Sequence, residues 1–292
     1  MLFRSGRFTE AVDHLERGLA LYDPKLRQSR NFQLVNDPRV ASWSLMSGAL
    51  ARLGFVDRAR SLSAEALAEA RALRQPFDLA GALHHACFLH LLCRNPDAVA
   101  ETAAALVALS REQSFPNYLA TGTIFHGWAT IKAGNTPTGI EQMRRGIEAY
   151  RATGAEINRP SWLGLLADGL SVAGDIDGAS RKLDEALRLV ESTGERGYES
   201  DLARLAGQVA IAADPADLSH AEMYFNRALA VAREQQARLF ELRAAVALAR
   251  LKRGQGRATA SRQELAALSG WFQEGLDLPD HVEARDLLAA VA

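Results

Sequence analysis

His84, Cys87, His90 and Cys93 follow one another at intervals of three in one apolar segment. Histidine and cysteine are zinc ligands, so metal chemistry has to be weighed first. Each step of three along a helix turns by about 300° and climbs about 4.5 Å. The four side chains would then spread over about 13.5 Å of helix axis, too far for one ion. His84 and Cys87 could supply two ligands, with no obvious others. The spacing therefore points to packing or groove residues, and no metal or other cofactor is expected. Cys87 and Cys93 lie about 120° from alignment on such a helix and cannot bridge within it. Reduced, buried thiols in a cytoplasmic protein are the expectation.

Other reactive patterns are weaker. His85 adds a third histidine to this segment, and with His126 it could form a polar patch. Gly254-Gln255-Gly256-Arg257 contains glycines but lacks a preceding strand and a following Lys-Ser/Thr, so it reads as a turn and not a phosphate cradle. No Ser–His–Asp arrangement stands out. Acidic residues are scattered on helix surfaces, where solvation or pairing with arginine is the ordinary role. The chain itself is not expected to be an enzyme.

The elements that would position these residues repeat every 40 positions. Gly54, Arg94, Gly134, Gly174, Asp214 and Gly254 each close one apolar helical segment and open another. The second segment carries a small-plus-apolar pair: Ala66-Leu67, Ala105-Leu106, Gly146-Ile147, Ala186-Leu187, Ala228-Leu229 and Ala267-Leu268. A fixed period of this size is the mark of a helical solenoid. First helices are predicted near 37–53, 77–93, 116–133, 160–173, 198–213 and 238–253. Second helices are predicted near 55–74, 96–113, 137–153, 176–193, 217–236 and 257–273. Asp37-Pro38, Asn95-Pro96, Thr136-Pro137 and Asp214-Pro215 place a capping side chain before a proline, a helix-start signal. The turn glycines supply the left-handed residue that ends a helix.

Both ends and one connection depart from the rhythm. Residues 7–22 read as a second helix whose first helix is missing. Its apolar face, with Val12, Leu15 and Leu19, wants a partner: a frayed helix, another copy of the chain, or preceding segments of a longer protein, which is the expectation here. The spacing from Gly6 to Gly54 is eight residues longer than the period. The excess forms a long loop over 23–36, containing Arg27, Arg30, Asn31, Phe32 and Gln33, either on the concave face or over a helix end. A short helix near 280–290, within 279–292, would cap the array.

Composition fits. The 48% hydrophobic content is too high for general disorder, and low aromatic content with abundant alanine suits packed helices. A net charge of −1 without a basic run argues against nucleic acid or an anionic membrane as partner. No run of about 18 apolar residues is present, so no membrane span is expected. The expected fold is all-α: a right-handed α-α superhelix of tetratricopeptide type, about 40 residues per repeat and six to seven helical pairs, forming one domain over 1–292.

A more specific resemblance rests on scattered motifs. They are Gly18-Leu19-Ala20-Leu21-Tyr22-Asp23-Pro24, Asn36-Asp37-Pro38, Leu53-Gly54, Ala82-Leu83-His84 with Leu89-His90, and Gln113-Ser114-Phe115-Pro116. Further on come Gly127-Trp128-Ala129, Arg151 through Glu156 with Arg159-Pro160, Thr193-Gly194-Glu195-Arg196, Glu241 through Ala245, and Gly270 through Gly275. In these the chain resembles the C-terminal tetratricopeptide region of bacterial signalling proteins that carry a class III adenylate/guanylate cyclase and an AAA-type or NB-ARC-like ATPase. Its repeats are similar to those of maltose-regulator-type activators. The chain departs at Gly197 and Ala203, where that family tends to carry an aromatic residue and a histidine.

The resemblance implies a sensor or interaction region acting on upstream domains of the same polypeptide. An extended repeat surface captures a protein, a peptide or a small effector. Polar and aromatic residues on first helices are the groove candidates: His84, His90, Arg159, Trp162, Glu199, Glu241 and Arg243. The ordinary alternative for each is an inter-repeat hydrogen bond or ion pair. Trp128 and Trp271 are expected in the core, and Trp162 toward a groove. A stand-alone scaffold, a homo-oligomer through residues 7–22, is the competing reading.

Overall fold

The computed structural model describes residues 1–23, 25 and 36–290. The long loop anticipated over 23–36, with Arg27, Arg30, Asn31, Phe32 and Gln33, falls almost entirely outside the described residues.

Among the described residues the regular structure is fourteen α-helices. They are α1 (Phe8–Ala20), α2 (Pro38–Leu53), α3 (Val56–Leu73), α4 (Pro76–Leu92), α5 (Pro96–Glu112), α6 (Pro116–Lys132) and α7 (Thr136–Ala152). Then follow α8 (Arg159–Val172), α9 (Ile176–Thr193), α10 (Glu199–Ala213), α11 (Ser219–Glu234), α12 (Arg238–Gly254), α13 (Ala258–Ser269) and α14 (Pro279–Ala289). The chain forms two compact units. One contains Thr9–Ala51 and Val56–Ala155; the other contains Met1–Phe8, Arg52–Phe55 and everything from Glu156 onward.

In the unit holding Val56–Ala155, α3 packs on α4, α4 on α5, α5 on α6 and α6 on α7, and α4 also meets α6. The first helix α4 thus touches its own partner, the preceding second helix and the next first helix, which is how tandem helical repeats bury a continuous core. First helices are apolar nearly all round. In α4, Ala80, Ala82, Leu83, Ala86, Cys87, Phe88, Leu89 and Leu92 are all buried. Second helices bury one stripe, as in α5 with Val99, Ala103, Leu106 and Ser110. The tightest approach is α6 against α7. A Cβ on Gly139 would lie 2.5 Å from the Gly127 carbonyl oxygen.

The unit from Glu156 onward repeats the arrangement: α8 with α9, α10 with α11, α12 with α13, and α14 closing against α12 and α13. Its core gathers Ala203, Phe225, Leu229, Leu242, Leu248, Leu265 and Phe272. The side chain of Arg52, in the last turn of α2, is fully buried among aromatic rings of this unit.

Helix boundaries fall close to those expected, and the exceptions have local causes. Asp37 Oδ1 accepts from the Arg39 and Val40 amides at 3.0 and 3.1 Å, and Asn95 Oδ1 from Ala98 at 3.0 Å. Asp214 caps a separate turn, accepting from Ala216 and Asp217, and α11 starts later, at Ser219. Gly54, Gly134 and Gly174 adopt positive φ as expected, but Gly254 is the last residue of α12 and Gly256 takes the left-handed conformation instead. The small residue of the repeat pair is buried at Ala66, Gly146, Ala186 and Ala228. At Ala105 and Ala267 it faces solvent, because α5 and α13 bury the leucine stripe one register away.

Candidate functional site

In the first unit the inner positions of α4 and α6 build an aromatic–imidazole cluster. His84 stands at its centre, with ring centroids of His85, Phe88, Tyr118 and Phe125 at 5.3, 5.1, 5.7 and 5.7 Å. Phe77, Phe115 and Tyr118 form a second set of edge-on contacts where α4 and α6 begin. The spacing explains this. Phe77, Gly81, His84, His85 and Phe88 share one face of α4, and Tyr118, Thr121 and Phe125 one face of α6. Gly81 keeps room for the Tyr118 hydroxyl, since a Cβ there would come within 3.2 Å of it.

The electrostatics follow from burial. His84 Nδ1 lies 3.1 Å from Thr121 Oγ1, whose own proton goes to the Tyr118 carbonyl at 3.2 Å. Desolvation first, and His85 second, hold the His84 pKa well below 6.5, so the ring is neutral. Phe77, His85, Phe115 and Tyr118 remain partly exposed around it. The cluster can therefore offer aromatic faces and the His85 imidazole to a bound group.

His90 lies on the same helix two turns on and is partly exposed. Burial, then the charge of Arg60, lower its pKa, while Glu101 opposes them. Cys87 and Cys93 are both buried and outside any disulfide. Burial pushes the Cys87 thiol far up. Among the described residues no three His, Cys, Asp or Glu side chains are disposed to hold a metal. His126 meets Thr130 of its own helix.

In the second unit the remaining candidates serve ion pairs and packing. Glu199 is bound by Arg196 at 2.7 Å and by Arg227 at 3.2 Å. Arg196 also forms a two-point pair with Glu234, and these hydrogen bonds hold its pKa above the ordinary arginine value. Glu241 is bound by Arg238 at 2.7 Å and Arg233 at 3.0 Å. Arg243 pairs with Asp280 of α14. Arg159 contacts Glu156 and, at 3.9 Å, Glu185. Trp162 is 1% exposed, a core residue of α8 and not a groove wall. Trp271 reverses the other expectation: it lies beyond α13, is 41% exposed, and has the Arg238 guanidinium 5.4 Å from its ring.

Of this cluster, sequence reasoning singled out His84 and His85 but not Tyr118, Thr121, Phe77 or Phe115. The signal was available as their three- and four-residue spacings on neighbouring first helices.

No family model matches the chain. Over 203 residues, 69% of the chain, it is 23% identical to an uncharacterized protein of Rhizobium meliloti (strain 1021). That match spans only 20% of the relative's length. Among solved structures, 99% of the chain superposes on 84% of a Rap protein complexed with competence and sporulation factor, with a TM-score of 0.69 and 13% identity. NprR in complex with its cognate peptide NprX matches 98% of the chain over 82% of its own, with a TM-score of 0.64 and 12% identity. The apo form of RapI matches 99% of the chain over 95% of its own, with a TM-score of 0.56 and 11% identity. At these identities the likeness is one of fold: the chain is an all-α array of tandem helical pairs of the tetratricopeptide kind.

Proposed function

We propose that the chain is a non-catalytic binding module, a tetratricopeptide-type repeat domain that captures a protein or peptide and passes the event to other domains. The observation that carries this reading is the partly exposed aromatic–imidazole cluster on α4 and α6. Phe77, His85, Phe115 and Tyr118 present mostly ring surface, with one imidazole and one phenol as the polar groups, and all four stay partly exposed. Their shared, half-open face suits an apolar or aromatic side chain of a partner. One solved structure with the same fold holds its cognate peptide and another is complexed with competence and sporulation factor, which supports a peptide or protein as the ligand class. The resemblance to cyclase–ATPase signalling proteins supports upstream domains of the same polypeptide as the recipients, in the cytoplasm. His84 and His90 are the sequence candidates on this face. Arg159, Trp162, Glu199, Glu241 and Arg243 lie in the other unit, in ion pairs and packing.

A photo-crosslinking residue at position 85 tests the reading, with one at exposed Glu65 as control. In an extract of the source cells, one partner should be captured at 85 and not at 65. Equal labelling at both positions would remove the proposal. Cyclase and ATPase domains encoded in frame upstream would support the recipient assignment, and an unrelated upstream frame would end it. One observation favours the scaffold alternative: Leu21, just beyond α1, is 84% exposed. Light scattering that shows a dimer lost on Leu21→Glu would favour that reading.

A further inference from the structure

Residues 1–7 are seated on the unit from Glu156 onward in the manner of a bound peptide. The segment is shaped by its own turn: Ser5 N donates to Met1 O at 3.2 Å, Gly6 N to Phe3 O at 3.3 Å, and Arg7 N to Leu2 O at 3.1 Å. Three kinds of contact hold it. The Gly197 amide donates to the Arg4 carbonyl at 2.9 Å, a main-chain hook. The Arg4 guanidinium pairs with Glu195 at 3.1 Å. The Phe3 ring lies 4.9 Å from the buried guanidinium of Arg52, which Tyr198 and Phe240 flank at 4.5 and 5.7 Å.

The receiving surface is shaped for main chain. A Cβ on Gly197 would come within 3.3 Å of the Phe3 carbonyl and 3.4 Å of the Arg4 carbonyl. Gly6 has φ +81°, and a Cβ there would lie 2.5 Å from Gln235 Nε2. A glycine on each side lets the two backbones meet. Glu195 is set in place by a second bond, accepting from the Asn158 amide at 2.9 Å. Gln235 Nε2 donates to the Arg196 carbonyl at 2.9 Å. Its Oε1 is buried and takes no hydrogen bond from the described residues. Residues 1–7 therefore leave one acceptor of the surface unused. Leu2, Phe3, Arg4 and Ser5 are themselves only partly buried.

We propose that Glu195, Gly197, Gln235, Phe240 and Arg52 form a peptide-recognition site that residues 2–6 occupy in cis as a displaceable, tethered ligand. Its trans ligand is a segment with the same order of groups: aromatic, arginine, small residue, glycine. Arginine reads Glu195, the aromatic ring covers Arg52, the carbonyl between them takes the Gly197 amide, and glycine passes under Gln235. A ligand with one further N–H at that point satisfies Gln235 Oε1. The inference rests on the reading of the chain as a peptide-binding module. It concerns a surface that shares no residue with the α4–α6 cluster, so either can fail alone.

Two measurements test it. In the unmodified chain, amide hydrogen exchange at Gly197 and Arg7 should proceed by a local opening at least tenfold more frequent than exchange at Phe225 of the core. Exchange of Gly197 at the rate of Phe225 overturns the proposal. A tether at about millimolar effective concentration masks the site, so the full-length double variant Phe3→Ala/Arg4→Glu serves for binding. It should bind a synthetic Leu-Phe-Arg-Ser-Gly-Arg peptide at least tenfold more tightly than the unmodified chain, and Glu195→Ala in that background should abolish the gain. Equal binding by variant and unmodified chain overturns the proposal. So does a double variant that fails to fold, because the segment would then be core and not ligand.

Discussion

Arg243 and Asp280 form a two-point ion pair, Nε to Oδ1 at 2.7 Å and Nη2 to Oδ2 at 3.1 Å. Their side chains are 8% and 1% exposed, so the pair ties α14 to α12 inside the core. A buried pair of this kind is costly to break singly, because the survivor keeps its desolvation penalty. Asp280→Ala should therefore destabilise the chain by about 3–5 kcal/mol. Arg243→Met with Asp280→Leu should recover most of that loss. Urea unfolding of the three chains checks both, and a double variant as unstable as the single one would contradict this account.

Neutral His84 makes stability depend on pH. Its folded pKa is held well below 6.5 by desolvation and by His85. The groups packed around it from α6 are Thr121, Tyr118 and Phe125, none of them charged. A histidine with a depressed folded pKa contributes full stability above its unfolded pKa. That stability is lost as pH falls below 6.5, where only the unfolded chain takes the proton. The limiting slope is about 1.4 kcal/mol per pH unit for one proton. His90 and His281 have lowered pKa values as well and add to the slope. Stability measured from pH 7.5 to 5.5 should fall, and His84→Asn should flatten the curve. An unchanged slope in His84→Asn would show that folding does not lower the pKa of this ring.

The repeat array was legible because its signals are local. A proline after a cap, a glycine at a turn and an apolar stripe are all decided within one or two helical turns. The site was less so. Arg196–Glu199 is an i,i+3 pair readable from sequence, but Arg196–Glu234 and Arg243–Asp280 cross one repeat. Which residues meet there depends on how each pair is rotated on the next. Trp162 shows the same gap: its place after Arg159-Pro160 suggested an open face, and the register of α8 turned it inward. The pairing of Arg4 with Glu195, 191 residues apart, had no sequence signal at all.

The two cysteines should be silent in the folded chain. Both are buried, and desolvation pushes the Cys87 thiol far above its ordinary pKa. The thiolate is the reacting species, so a disulfide reagent at pH 8 should find almost none in the native state. Both thiols should react once denaturant is added. Rapid native-state labelling of Cys87 would mean that α4 opens far more often than its packing allows.

Glycines in helices give a prediction of opposite sign at two sites. Gly139 in α7 faces α6, and an added Cβ would meet the Gly127 oxygen and Ile131 Cγ1 at 2.5 Å and the Ile131 amide nitrogen at 2.9 Å. Two of these atoms are backbone, so relief requires the helices to part. Gly139→Ala should cost about 1–3 kcal/mol through overpacking, more than the roughly 1 kcal/mol that alanine gains in helix propensity. Gly18 in α1 has nothing within 4 Å of such a Cβ. There the propensity term acts alone, and Gly18→Ala should stabilise by up to about 1 kcal/mol. Denaturant midpoints of the two variants decide the matter. A stabilised Gly139→Ala would mean that the α6–α7 contact is looser than the 2.5 Å approach implies.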